Sequence, residues 1–285
     1  MRTARLFALL LLTAMLAAIR LPAAPAVRVV SQTVGADELL LAIAAPDQIA
    51  ALSHLAQDPM FSAVAEEAKR YPRLDRGDAE TVLRYQPTLV LAANYSRIEL
   101  VEQVRRAGVR VLVFENHNSL EDAYANLLLL ARELGPEAMG RAERIIADGR
   151  RRVTALEEKL RGVPPVRVIS PSVYGVIPGA ETTFQDICDH AGAVNLAATL
   201  GHLRGHAAPP SEQMLTWPVD KVVVAGTARE TALAPFLSLP PYKSMAAVRA
   251  HRVALIEPHM ISTVTHHRVD AYERLARELH PELFR

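Results

Sequence analysis

Residues 135–165 read GPEAMGRAERIIADGRRRVTALEEKLRGVPP. Gly135-Pro136 opens the stretch and Gly162-Val163-Pro164-Pro165 closes it, with no proline from Glu137 to Leu160. Within it Ala142, Ile145, Ile146, Val153, Leu156 and Leu160 recur at helical spacing. At about 1.5 Å per residue such a helix exceeds ~30 Å, enough to cross a small protein. The charges Arg150-Arg151-Arg152 and Glu157-Glu158 read as its solvated face. A single long helix in the middle of the chain divides the sequence into two halves.

Each half alternates short apolar runs with helical patterns. Before the long helix, residues 27–30, 48–52, 88–92 and 109–114 read as strands, rich in Val, Leu and Ile on both faces as buried parallel strands are. Helical patterns over 98–107, ended by Gly108, and over 119–134 lie among them. After it, residues 166–169, 221–225 and 252–257 read as strands, and 182–191 and 262–279 as helices. The fold class expected is α/β: two α/β lobes with mainly parallel sheets, joined by one long helix. The expected boundaries are a signal peptide over 1–26, an N-terminal lobe over 27–135, the connecting helix over 136–162 and a C-terminal lobe over 163–285.

Arg2 and Arg5 precede an apolar run from Leu6 to Ile19, followed by Ala24-Pro25-Ala26. A basic start, a short apolar stretch and a small-residue end make a secretory signal, too short for a span of about 20 residues. Cleavage after Ala26 would remove Arg2, Arg5 and Arg20 and no acid, taking the net charge from +1 to −2. The alternative is an uncleaved anchor. No cysteine lies near the cleavage site, so the reading excludes a lipoprotein anchor and expects soluble export to the periplasm. Of 285 residues 50% are apolar, 22% charged and only 5% aromatic, which excludes a disordered chain and disfavours a nucleic-acid platform. The lone Cys188 cannot form an internal disulfide and reads as a buried, inert thiol.

The two halves echo each other. Glu80-Thr81-Val82-Leu83-Arg84-Tyr85, then Pro87 and the strand Leu89-Val90-Leu91-Ala92, is matched by Glu212-Gln213-Met214-Leu215-Thr216-Trp217, then Pro218 and Val222-Val223-Val224-Ala225. A glutamate opening a helix complements the dipole, by about 0.3–1 kcal/mol. The functional alternative is that each lobe presents one carboxylate on a common surface.

These motifs resemble a family. Gly77-Asp78-Ala79-Glu80…Pro87-Thr88-Leu89-Val90-Leu91 is similar to the G-x-x-E…P-D-L-V-L pattern of the periplasmic substrate-binding proteins of ABC importers for vitamin B12, iron–siderophores and haem, with Thr88 for the usual Asp. Thr182-Thr183-Phe184…Ala191-Gly192-Ala193-Val194-Asn195 resembles its G-T-F…A-G-G-V-N, with Ala193 for the second Gly, and Ser211-Glu212…Leu215 its second glutamate motif. The resemblance implies a ligand cleft between two lobes that close only modestly on a rigid helix. It implies a monomer without cofactor of its own that captures a metal chelate (corrinoid, ferric siderophore or haem). Glu80 and Glu212 would dock on arginines of an ABC permease dimer in the inner membrane. Exposed pairs contribute only about 0–1 kcal/mol each, so release stays easy.

Ligands of doubly wound sheets meet loops at the carboxyl ends of strands. Four such loops carry His54, Tyr95, Tyr174 and His259, two per half. Aromatic and imidazole groups suit a flat macrocycle, by stacking on it or ligating its metal, His259 ahead of His54 for the metal. A lone His or Tyr at a strand end is as often a satisfied polar residue. Arg97, Arg204, Arg229 and Lys243 are candidates for acidic ligand groups, with solvation the default. His202 and His206 stand at i, i+4, but Gly201 and Gly205 argue for a loop. No Ser-His-Asp motif, phosphate loop or H-E-x-x-H appears, so no catalysis is expected. The rival readings are a tetrapyrrole metal chelatase on a similar fold, using His54 or His259, and a zinc or manganese binding protein, which would need a third ligand that the loops do not offer.

Overall fold

The computed structural model describes residues 27–285, so the signal segment expected over 1–26 lies outside the described residues. In the first half, β1 (Val29–Ser31), β2 (Ile49–Ala51), β3 (Leu89–Ala93) and β4 (Arg110–Phe114) form one parallel sheet in the order β2-β1-β3-β4. In the second half come β5 (Val166–Ile169), β6 (Ile177–Pro178), β7 (Ala193–Asn195), β8 (His206–Ala207), β9 (Lys221–Ala225) and β10 (Val253–Ile256). β10-β9-β5-β7 make a second parallel sheet, and β6 pairs antiparallel with β8 beside it. All five residues of β3 are buried, as the unbroken Leu-Val-Leu-Ala-Ala run requires. Parallel strands need crossovers, so every strand of a sheet ends at the same edge, and the loops after them cluster there.

The two α/β lobes are joined by the helix Pro136–Leu160. Ala142, Ile146 and Leu156 are buried on its inner face, and Ile145, Val153 and Leu160 pack against the same core. Gly149 sits where this helix crosses Leu120–Leu134; a Cβ there would meet the hydroxyl of the buried Tyr124 at 2.0 Å, so a hydrogen sets the spacing of the two helices. Arg150 and Arg151 lie on the exposed face as expected, but Arg152 does not. It is half-buried and reaches the C-terminal helix Arg268–Leu279, donating to Asp270 at 2.7 Å and Glu273 at 2.8 Å.

One hydrophobic core runs through both lobes. It joins Val29, Leu40 and Leu91 of the first to Phe184, Ile187, Tyr272 and Leu275 of the second. A satellite cluster in the first half includes Val30, Ala79, Val82 and Val90, and another in the second half includes Met214, Trp217, Val222 and Tyr242. Cys188 is buried in the helix Thr183–His190, and loss of water pushes its thiol well above the ordinary range, consistent with an inert side chain.

The sequence pattern extends the last helix from Ser262, but the helix begins at Arg268. A one-turn helix, Pro258–Ile261, comes first, and residues 262–267 run irregularly between the two. Thr263 and Thr265 are buried, and their hydroxyls lie 3.3 Å apart. The Thr265 hydroxyl turns away from a helical ladder and donates to Glu38 of the first half at 2.6 Å. The pairs β6–β8 and β5–β7 are likewise absent from the sequence reading.

Candidate functional site

A cavity of about 290 Å³ opens at the carboxyl edge of the first sheet. Gln32 and Thr33 after β1, Ser53, His54 and Leu55 after β2, and Tyr95 after β3 supply one wall; Ser262, Thr263 and Val264 of the second half supply the other. The irregular segment before the C-terminal helix therefore closes the cleft from across the molecule.

Local chemistry fixes this wall. Thr33 caps the helix Val34–Ile43, accepting from the Ala36 amide at 3.3 Å. Gly35 in the first turn lines the cavity; a Cβ on it would fall 2.4 Å from a methyl of Val264, so a glycine is needed where the two lobes touch. Valine is stiff at χ1, and that methyl has little room to yield. Next on the same helix, Asp37 and Glu38 are both buried. Asp37 accepts from the Ser53 amide at 2.9 Å and the Ser53 hydroxyl at 2.5 Å, tying the helix to the loop that carries His54. Burial pushes the Asp37 carboxyl up to about 7, against the hydrogen bonds from Ser53 and with the help of neighbouring Glu38. Glu38 accepts from the Ala63 amide at 2.9 Å and from the Thr265 hydroxyl at 2.6 Å, a bond between the two halves of the chain.

Tyr95 stands on a loop held by the Ser96 hydroxyl, which accepts from the Ala93 amide at 3.0 Å, and by Asn94, which donates to the Glu115 carbonyl at 2.7 Å. It exposes 59% of its surface, and Phe61 on the same cavity exposes 50%. Loss of water raises the Tyr95 phenol above its ordinary range, and Asp37 and Glu38 raise it further. Tyr95 therefore stays a neutral phenol, a stacking face and a proton donor. His117, after β4, meets the Tyr95 ring edge-on at 5.5 Å and lines a smaller cavity behind it. Its Nδ1 is buried without a partner, and burial lowers its basicity.

His54 and Tyr95 thus share one cavity. Tyr174 and His259 are not among its lining residues. Tyr174 is 88% exposed on the loop after β5, and His259 is half-buried in the turn Pro258–Ile261. Glu80 and Glu212 are exposed in the first turns of their helices, Ala79–Leu83 and Ser211–Met214. Arg97 donates to the Gly77 carbonyl at 2.6 Å, Arg204 pairs with Glu181, Arg229 pairs with Glu278 at 2.5 Å, and Lys243 is exposed. His206 lies in β8 and His202 in irregular backbone with a φ of 51°, so the two do not form a helical pair. No group of three His, Cys, Asp or Glu able to hold a metal ion occurs among the described residues. Sequence reading missed Glu38, His117 and the 262–264 wall. The signal for the first was present: Asp37-Glu38 is an acidic pair inside the otherwise apolar run Val34–Ile43.

Two parallel α/β lobes, one connecting helix and a cavity walled by both lobes define a two-lobed binding protein. A family model described as periplasmic binding protein matches residues 29–260, and the chain belongs to that family. The chain is 20% identical over 217 residues to YvrC of Bacillus subtilis (strain 168), described as an uncharacterized ABC transporter substrate-binding lipoprotein; the match covers 73% of this chain and 67% of that protein. Among solved structures, it resembles the periplasmic haem-binding protein RhuT from Roseiflexus sp. RS-1 in apo form, with a TM-score of 0.77, 21% identity, and coverage of 90% of this chain and 99% of that one. The periplasmic haem-binding protein HutB of Vibrio cholerae gives a TM-score of 0.75 at 20% identity, covering 90% and 99%. At such identities the likeness establishes the fold.

Proposed function

We propose that this protein is the ligand-capturing component of an ABC importer, exported to the periplasm by residues 1–26, and that its ligand is a rigid metal chelate such as a corrinoid, ferric siderophore or haem. The observation that carries this reading is the inter-lobe cavity with Tyr95 and Phe61 exposed on its wall. Large aromatic surface left open in a concave site is stabilised when a flat apolar ligand covers it. The lobes would span 27–135 and 163–285 with 136–162 between them. Tyr174 and His259 would meet parts of the chelate that project beyond the cavity. The absorption spectrum of protein purified from its native periplasm tests the reading. A Soret band, corrinoid bands or a siderophore charge-transfer band supports it; a colourless protein that binds no metal chelate refutes it.

Tyr95→Ala should cost about 1–3 kcal/mol of transfer and stacking energy, or roughly five- to a hundred-fold in affinity. Because Tyr95 acts as a neutral face, the spectrum of the bound chelate should stay nearly unchanged. A large spectral change would make Tyr95 a metal ligand instead.

Glu80 and Glu212 are proposed to meet one permease subunit each. Glu80→Arg or Glu212→Arg should abolish uptake in cells and leave chelate affinity of the purified protein within a few-fold, because like charges then face the permease. A strong loss of affinity in the isolated protein would place the residue at the ligand and not at the permease.

A further inference from the structure

The cavity has a charge of one sign. None of its lining residues is Lys or Arg, and Glu38 is among them. The smaller cavity behind Tyr95 likewise has no Lys or Arg in its wall. Asp37 lies directly behind, bonded to the Ser53 of the same wall. The nearby cations are committed elsewhere. Arg152 is paired with Asp270 and Glu273, and Arg268 is bonded to Asp186 and to the carbonyls of His117 and Asn118. His267 is paired with Asp270 at 3.2 Å. Arg97, only two residues after Tyr95, turns its guanidinium to the Gly77 carbonyl. Against the burial that lowers it, Asp270 and Glu38 together hold the His267 imidazole above its ordinary range, so the basic group that Glu38 feels is shared with Asp270. A carboxylate on a water-poor wall with no Lys or Arg beside it repels anions more strongly than it would in water.

We propose that the cleft selects a metal chelate that presents hydrogen-bond donors and carries no net negative charge, amide-bearing or cationic, and that Glu38 is the residue that sets this preference. The inference rests on the metal-chelate reading above. It separates this chain from the ligand printed for its structural neighbours: haem carries two carboxylates, and a ferric triscatecholate is a polyanion. A corrinoid fringed with amides, or a cationic ferric trihydroxamate, brings donors to the Thr33 and Thr263 hydroxyls along the same wall, while Glu38, buried and already bonded to Ala63 and Thr265, acts on it through its charge.

The test is titration calorimetry of the full mature protein with four probes: cobinamide, a cationic linear ferric trihydroxamate, haemin and a ferric triscatecholate. At least one of the first two should bind ten-fold or more tighter than either of the last two. Glu38→Gln keeps the size of the side chain and an acceptor for the Ala63 amide. It should narrow that ratio about ten-fold, by weakening the first class and strengthening the second. Should Glu38→Gln fail to fold, Leu55→Lys places a cation on the same wall without touching the buried network, and should narrow the ratio in the same direction. Haemin or the triscatecholate binding as tightly as the other probes would overturn this inference and leave the metal-chelate reading standing. Binding of none of the four would overturn both. A preference unchanged in folded Glu38→Gln and Leu55→Lys would overturn the role of Glu38.

Discussion

Replacing Arg268 by methionine should lower the melting temperature by about 10 °C, the largest loss expected of any single exchange considered. Arg268 is fully buried at the start of the C-terminal helix. Its Nη1 donates to the Asn118 carbonyl at 2.6 Å and to Asp186 at 2.8 Å, and its Nη2 to the His117 carbonyl at 2.6 Å. It therefore joins the loop after β4 in the first lobe to the helix Thr183–His190 in the second. Methionine keeps the aliphatic stem and removes every donor. Two carbonyls lose a donor, and Asp186 loses its guanidinium partner, left with the Tyr272 hydroxyl and with His190 at 3.9 Å. Breaking a buried pair from one side costs about 3–5 kcal/mol. In a protein of this size each kcal/mol moves the midpoint by roughly 2–4 °C. Arg268→Lys keeps the charge but cannot fork to three acceptors, and should fall between the two. Differential scanning calorimetry decides: a melting temperature for Arg268→Met within two or three degrees of wild type would mean that this bridge does not hold the lobes.

Asp37→Asn should do the reverse and stabilise the protein, increasingly as pH rises from about 4 to 7. The Asp37 carboxyl titrates at about 7 when folded, against 3.8 for an ordinary aspartate. Between these values the folded chain holds a proton that the unfolded chain has released. Stability from this group is therefore full below about pH 4, falls as pH rises toward 7, and levels off above. At about 1.4 kcal/mol per pKa unit the loss is at most ~4 kcal/mol. Asparagine is permanently neutral; its amide can donate to the Ser53 hydroxyl and its carbonyl can accept from the Ser53 amide. His266 works in the opposite sense. Burial and the neighbouring His267 push its imidazole down to about 3, so its contribution rises as pH climbs from there to about 6.5. The wild-type curve alone mixes the two, and the difference between wild type and variant isolates Asp37. Melting curves at pH 4 and pH 8 should show little gain for Asp37→Asn at the first and several degrees at the second. An equal gain at both values would show that Asp37 does not titrate in this window.

The parts of the fold legible in the sequence were those whose signal is local. The apolar runs of β3, β4, β5, β9 and β10 and the proline-bounded helix Pro136–Leu160 announce themselves by composition and period. β7 does not, because Ala193-Val194-Asn195 is three residues long and its partner, Val166–Val168, lies far back in the chain. Residues 262–267 continue an apolar spacing into the last helix. They leave it because Thr265 bonds to Glu38, a contact across 227 positions that no window can see. The site follows the same division. Strand-end reasoning leads to the loops of His54 and Tyr95, which do share a cavity. It also leads to Tyr174 and His259, since it weights every strand end equally and cannot tell which loop of the second sheet turns toward the first. The wall is instead supplied further along, at Ser262–Val264, by small and β-branched residues that carry no chemical signature of their own.

The main core draws on the helices Val34–Ile43, Thr183–His190 and Arg268–Leu279 from both halves of the chain, whereas the helices bearing Glu80 and Glu212 rest on the two satellites. Amide hydrogens in the central helices can then exchange with solvent only when the whole molecule opens, and neither half keeps a complete interior by itself. Around Glu80 and Glu212, opening a satellite is enough, at a smaller free energy. Opening one satellite thus loosens its own part of the protein while the centre stays folded.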